Sequence, residues 1–208
     1  LTNKVNLMTK NLNHRGPDFN TTFKNSLGHF GFARLKIIDL SEKSNQPFQD
    51  TNKKVSIIYN GEIYNYKSLK DKFFQNTKFK SDGDGEVLLH LYNKFGINFI
   101  SKIKGMFSIC IIDQNLDKVY LIRDRFGIKP IYYFHDKQKN FLYFASEINS
   151  ILTNKEILKE LNYKEAFKFF KQGLVNGTDE TFFKNIFQVD KSSYIEFSKK
   201  NLIKKKYY

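Results

Sequence analysis

Residues 106–113 read MFSICIID, and strand alternation would put Phe107, Ile109 and Ile111 on one face and Cys110 and Ile112 on the other. Both faces are apolar. A strand buried on two sides belongs to a sheet covered above and below, by helices or by a second sheet. The chain can supply that cover: at 208 residues it is the size of one domain, and its 40% apolar content, with 22 Phe and 12 Tyr, is material for a sizeable core.

The rest of the chain falls into short elements. Val5, Met8 and Leu12 stand at helical spacing, and His14-Arg15-Gly16-Pro17-Asp18 stops that helix with Gly and Pro. Strand-like runs follow at 27–33, 35–39 and 54–59, then helices at 66–74 and 84–95, with a third helical piece at 97–104. MFSICIID, VYLIRD, PIYYFH and FLYFAS predict a meander of strands separated by polar turns. Helices are expected at 146–153 and 162–171, then a Gly-rich turn and strands near 186–189 and 193–198. There is no internal repeat, and the Lys-rich residues 199–206 read as a linker or frayed tail.

Several function classes are set aside on composition. No window approaches the roughly 18 to 20 apolar residues of a membrane span, and the first residues lack a signal-type apolar stretch, so a cytoplasmic location is the default. The single cysteine, Cys110, has no partner for an internal disulfide, and His14, His29, His90 and His135 show no metal-ligand spacing; no structural metal is expected. The net charge of +14 comes from lysines dispersed along the chain, which predicts a solvated surface and no nucleic-acid partner.

The stretch IIYNGEIYNY, Ile57 to Tyr66, is a strand that runs into Asn60-Gly61-Glu62. On residues alone Asn-Gly is a strong signal for a type I′ hairpin turn, and Glu62 would then be a solvated turn residue. The alternative is a polar pocket wall in which an amide, a bare backbone and a carboxylate meet a small substrate. Asp84 is equally double: it precedes an apolar helical pattern, where aspartate is a good N-cap. Arg123-Asp124 leaves an apolar strand and reads as an ion pair pinning the next turn, and Glu147 stands at a helix start where its charge suits the dipole.

Eight motifs in one order carry a resemblance: HRGPD at 14–18, RLKIIDLS at 34–41, QP at 46–47, NGEIYN at 60–65, GDGEV at 83–87, GMF at 105–107, RDRFGIKPIYY at 123–133 and FASE at 144–147. Together they resemble the glutamine-hydrolysing domain of class II amidotransferases, in particular the asparagine synthetase family, over essentially the whole chain. The resemblance implies an α+β, N-terminal-nucleophile hydrolase-type fold, a four-layer sandwich of two stacked antiparallel sheets between helix layers. It also implies a chemistry. An N-terminal cysteine attacks the carboxamide of L-glutamine, its own α-amino group serves as base, and ammonia leaves for a second active site.

By position, Arg34 would grip the glutamine α-carboxylate, with backbone groups of Leu35 and Ile38 on the same edge. Asn60 and Gly61 would form the oxyanion hole through the side-chain amide and a backbone N–H, and Glu62 and Asp84 would receive the α-ammonium group.

The chain also departs from the family pattern. The family opens with Cys-Gly-Ile on a first strand, whereas this sequence starts within the helix before HRGPD, so the first strand and the nucleophile are expected to be missing. Thr2 and Cys110 are poor substitutes, Cys110 because it sits mid-strand without a base. Phe32 stands where the family often has histidine, Lys36 replaces a small polar residue, and 186–196 lacks the family's Pro-Pro turn. The expected organisation is a glutaminase domain at 1–198 and a linker at 199–208 toward an absent synthetase domain. ATP and magnesium would be needed only there, for amidation of aspartate, and this domain would need no cofactor. A homodimer of the parent is left open. Two rival readings remain: a non-catalytic amidotransferase-like domain that binds glutamine or a partner, and an amidotransferase acting on another carboxylate.

Overall fold

The computed structural model describes residues 2–173 and 178–208. Its centre is a six-stranded sheet in the order β11 (Leu202–Lys206), β10 (Ser193–Ser198), β6 (Lys118–Arg123), β5 (Gly105–Asp113), β4 (Val55–Ile63), β3 (Phe48–Gln49), antiparallel throughout. The doubly apolar segment is its β5, and the two alternating sets of side chains enter two different cores. Phe107, Ile109 and Ile111 pack with Ile57, Val87, Leu88 and Leu91, under α2 (Tyr66–Phe73) and α3 (Glu86–Phe95). Cys110 and Ile112 pack with Phe30, Ile131 and Tyr133 of the facing sheet layer.

That second layer has two parts. A hairpin joins β1 (Phe19–Asn25) to β2 (Gly28–Arg34), and a three-stranded sheet runs β8 (Phe141–Ala145), β7 (Tyr132–Asp136), β9 (Ile186–Gln188). Its outer face carries a third core, in which Met8 of α1 (Thr2–Asn11) and Ile151 of α4 (Ile148–Leu152) meet Tyr132, Phe134 and Ala145. The order helix, sheet, sheet, helix is the expected four-layer sandwich.

Four local expectations are corrected. Residues 35–39 form no strand: the Lys36 N–H bonds to the Asp18 carboxylate at 2.8 Å and the Arg34 guanidinium takes the carbonyls of Asp39 and Ser41, so the chain peels off the sheet with Leu35, Ile37 and Ile38 exposed. Strand β1 was not expected, because FNTTFKN offers few apolar residues; it forms by pairing with β2 over its whole length. The predicted meander is cut in two, β5 and β6 lying in one sheet and β7 and β8 in the other. Finally, 202–206 is a strand, not a frayed tail: β11 pairs with β10, Leu202 packs on the second core, and the Tyr207 hydroxyl donates to the Arg123 carbonyl at 2.8 Å.

The third helical piece is a 3₁₀ segment at Gly96–Ser101. A fifth helix, α5 (Tyr163–Gln172), starts at Asn162, whose side chain accepts from the Glu165 N–H, and ends at Gly173, whose φ of 65° lets it close a left-handed cap. The remainder of the expected Gly-rich turn, 174–177, lies outside the described residues.

Candidate active site

Strand β4 does not turn at Asn60-Gly61-Glu62. The three residues pair with Ser108, Phe107 and Met106 of β5, and the strand ends only at Ile63. The hairpin reading is therefore excluded. Gly61 has φ +152°, and a Cβ there would lie 2.0 Å from the Met106 carbonyl oxygen and 2.7 Å from the Phe107 Cα. Only glycine lets β4 and β5 approach so closely.

Asn60 and Glu62 line one cavity of about 370 Å³. Neither side chain has a hydrogen bond or ion pair among the described residues, so the amide and the carboxylate are both available to a ligand. Arg34, Leu35, Ile38 and Asp84 share the wall. All the positions expected from the sequence thus converge on one space.

Arg34 and Asp84 are committed to the protein as well as to the cavity. Arg34, 7% exposed at the end of β2, donates through Nη1 to the Ser41 carbonyl (2.9 Å) and Asn45 Oδ1 (2.6 Å) and through Nη2 to the Asp39 carbonyl. Of the five guanidinium N–H groups, two remain. Leu35 and Ile38 border the mouth, 53% and 43% exposed.

Asp84 is buried and does not cap a helix: α3 starts at Glu86 with Gly85 at the cap position and no side-chain cap. Its carboxylate instead faces β4, where Oδ2 accepts from the Ile63 N–H at 2.7 Å and Oδ1 from the Tyr59 hydroxyl. Burial, then the charge and hydrogen bond of Asp84, push the Tyr59 hydroxyl far above its ordinary value, so it stays a donor.

Three further residues hold this geometry, and their motifs gave no hint of it. Gln46 bonds both ways to the backbone of Tyr59, accepting from its N–H at 2.7 Å and donating to its carbonyl at 3.0 Å. Asp39 accepts from the Ser41 N–H (2.8 Å), the Ser44 hydroxyl (2.6 Å) and the Asp82 N–H (3.1 Å), tying the loop after Arg34 to the loop before Asp84. Those bonds, from Ser44 first and Ser41 next, hold the Asp39 carboxyl well below the usual range. Glu86 is pushed up by burial, its largest influence, but the Lys80 and Ser81 N–H groups and the Ser81 hydroxyl outweigh it and leave a lowered carboxyl. The signal that could have found these residues is a carboxylate or amide set between apolar runs, which must find buried partners.

Cys110 is on the cavity wall, 2% exposed, and burial pushes its thiol up, in agreement with its reading as a poor nucleophile. The Glu147 carboxylate bonds no N–H group of α4; it meets His14 Nε2 and Arg15 Nη1, each at 3.0 Å.

The family model described as a glutamine amidotransferase domain matches residues 1–208. The chain belongs to that family. This amidotransferase domain is 41% identical over 195 residues to asparagine synthetase [glutamine-hydrolyzing] 2 of Bacillus subtilis, covering 92% of this chain and 26% of the relative. It is 39% identical over 170 residues to asparagine synthetase [glutamine-hydrolyzing] 1 of the same organism, covering 79% and 26%. Among solved structures it resembles the glutamine phosphoribosylpyrophosphate amidotransferase of B. subtilis, with a TM-score of 0.59, 19% identity, and coverage of 87% of this chain and 35% of the other, a likeness of fold. The amidotransferase domain thus spans about a quarter of the length of the two synthetases, 26% of each. No helix among its described residues is long and apolar enough to cross a membrane.

The amidotransferase domain has one further feature at this site. Consecutive residues His29 to Arg34 of β2 and Leu142 to Ala145 of β8 line the cavity, and among the described residues each strand pairs on one side only, with β1 and with β7. Runs of consecutive residues present a strand's edge, since a face would show alternate ones. The six-stranded sheet lies on one side of the gap, through Ile58 and Cys110, and α1 on the other, through Val5 and Met8, with Leu12 just past its end. The cavity is thus bounded by two strand edges, one sheet face and one helix.

Proposed function

We propose that this chain is the glutaminase part of an asparagine synthetase-like amidotransferase. L-Glutamine lies in the cavity with its carboxamide at Asn60 and Gly61, its α-carboxylate at the two remaining N–H groups of Arg34, and its α-ammonium at Asp84 and Glu62. Leu35 and Ile38 border the carboxylate end. The observation that carries the reading is the unpartnered pair on β4: an amide donor for an oxyanion and a carboxylate for a cation, one residue apart on either side of a glycine, facing the same space.

The gap between β2 and β8 is the place for a strand whose first residue supplies the nucleophile. The α-amino group of that residue takes the thiol proton, attack by the thiolate on the carboxamide carbon gives a tetrahedral oxyanion, which Asn60 and the Gly61 N–H stabilise, and the same amino group returns the proton to the leaving nitrogen as collapse expels ammonia; water then releases glutamate from the thioester. We assign residues 1–208 to the glutaminase, β11 being an edge strand of its six-stranded sheet, and its ammonia to a synthetase domain, where ATP and magnesium would activate aspartate to receive it. This part needs no cofactor of its own, and the cytoplasm, where the substrates are, is its compartment.

Calorimetric titration with L-glutamine tests the reading. Saturable binding, weakened by Glu62→Gln, is the expected result. A protein that folds but takes up no glutamine overturns it.

A further inference from the structure

Tyr59 links Asn60 to Asp84. Its backbone runs directly into Asn60, and its side chain leaves the opposite face of β4 to end on Asp84. Both halves are fixed. The Gln46 amide grips the backbone N–H and carbonyl, and Tyr59, 8% exposed, lies in one core with Ile57 and Ile63.

Asp84 depends on that anchor. Its two carboxylate oxygens each have room for two donors, and each now receives one, from the Tyr59 hydroxyl and the Ile63 N–H. Both bonds come from β4, on either side of Gly61, so the carboxylate is aligned to the same strand that carries the amide of Asn60. One acceptor position per oxygen remains for a ligand. Without the hydroxyl, Oδ1 is a buried charged acceptor with no partner, and the carboxylate can rotate to seek one. Glu62 has no such anchor and cannot take over the geometry.

We propose that Tyr59 is a positioning residue for the α-ammonium end of the pocket: its hydroxyl sets the direction in which Asp84 presents its remaining acceptor sites, in register with Asn60. The inference rests on the glutamine reading. It makes Tyr59 a determinant of specificity for ligands that carry an α-ammonium group, and gives it no part in holding the carboxamide or the carboxylate.

The test compares two ligands, L-glutamine and its deaminated analogue 4-carbamoylbutanoate, by calorimetry on the unsubstituted protein and on Tyr59→Phe. The variant should bind L-glutamine about ten-fold more weakly, the scale of one charged hydrogen bond, and the analogue with unchanged affinity. Equal losses for both ligands, or no loss for either, would overturn the inference while leaving the glutamine reading in place. Failure of the unsubstituted protein to bind either ligand would remove both. Tyr59→Met, which removes the hydroxyl while keeping an apolar side chain that adapts to the buried site, is the second variant should Tyr59→Phe not fold. It should show the same ligand-selective loss, and a loss shared by both ligands would count against the inference in the same way.

Discussion

Arg123 and Asp124 are neighbours of opposite charge that do not pair with each other; they grip the same turn from two sides. Arg123 donates to the carbonyls of Gly127, Lys129 and Val189 and to Gln188, while the Asp124 carboxylate accepts from the N–H groups of Phe126, Ile128, Lys129 and Phe107. The ion pair expected from the sequence is replaced by a cation that collects carbonyls and an anion that collects amides. This turn carries the chain from the six-stranded sheet to β7 in the other layer, so it holds the two sheets in place.

Asp124→Ala should therefore cost more than an ordinary surface change. It leaves the buried Phe107 N–H and three part-buried N–H groups without their carboxylate acceptor, and a loss of about 3 kcal/mol is expected by denaturant unfolding. Asp124→Asn retains an acceptor and should lose less.

Gly61→Ala should destabilise by at least about 2 kcal/mol, because it adds backbone strain at a positive φ to an overlap with β5. Unfolding of this variant beside Asn60→Ala, which leaves the strand pairing intact and should change stability little, checks the prediction.

Acid should weaken the fold through the two loops at the pocket. The carboxyls of Asp39 and Glu86 are both lowered in the folded protein. The unfolded chain then binds more protons below the ordinary carboxylate range near about 4, so their contribution is present above that range and is lost as pH falls through the folded values. Stability measured from neutral pH downward should fall less steeply in Asp39→Asn than in the unsubstituted protein. Parallel curves would contradict this.

The one thiol of these 208 residues, Cys110, is buried, so a polypeptide of these residues should release no ammonia from glutamine, and a synthetic peptide beginning Cys-Gly-Ile, added in trans, should restore release by entering the cavity between β2 and β8. In the restored system Asn60→Ala should lower kcat by about a hundred-fold or more with a smaller effect on KM. Ammonia measured without the peptide, and abolished by Asn60→Ala, would go against this expectation.

Much of this architecture was legible in the sequence because burial writes a period into it. The alternation of MFSICIID announced two cores, and the residues of α3 followed one face of a helix. What stayed hidden was set by pairing at a distance. FNTTFKN is polar and becomes β1 only because β2 lies beside it. LKIID is apolar but loops away because Asp18 and Arg34 take its polar backbone groups. The site positions were readable from motif order, yet the partners that fix them were not: nothing local in QP says that Gln46 will hold Tyr59, and Asp84 looked like a helix cap until its carboxylate was found on β4.

The Lys-rich strand β11 has a bearing on solubility. It is one outer edge of the six-stranded sheet, and Lys204, Lys205 and Lys206, the first two paired with Asp179 and Glu196, crowd its unpaired rim with charged side chains that disfavour an added strand. Of the other edges, β2 and β8 carry no lysine, but they line the cavity beside α1, where one extended segment can enter and the broad rim of a second sheet cannot. The molecule thus discourages fibre-like growth at β11 by charge and at β2 and β8 by concealment.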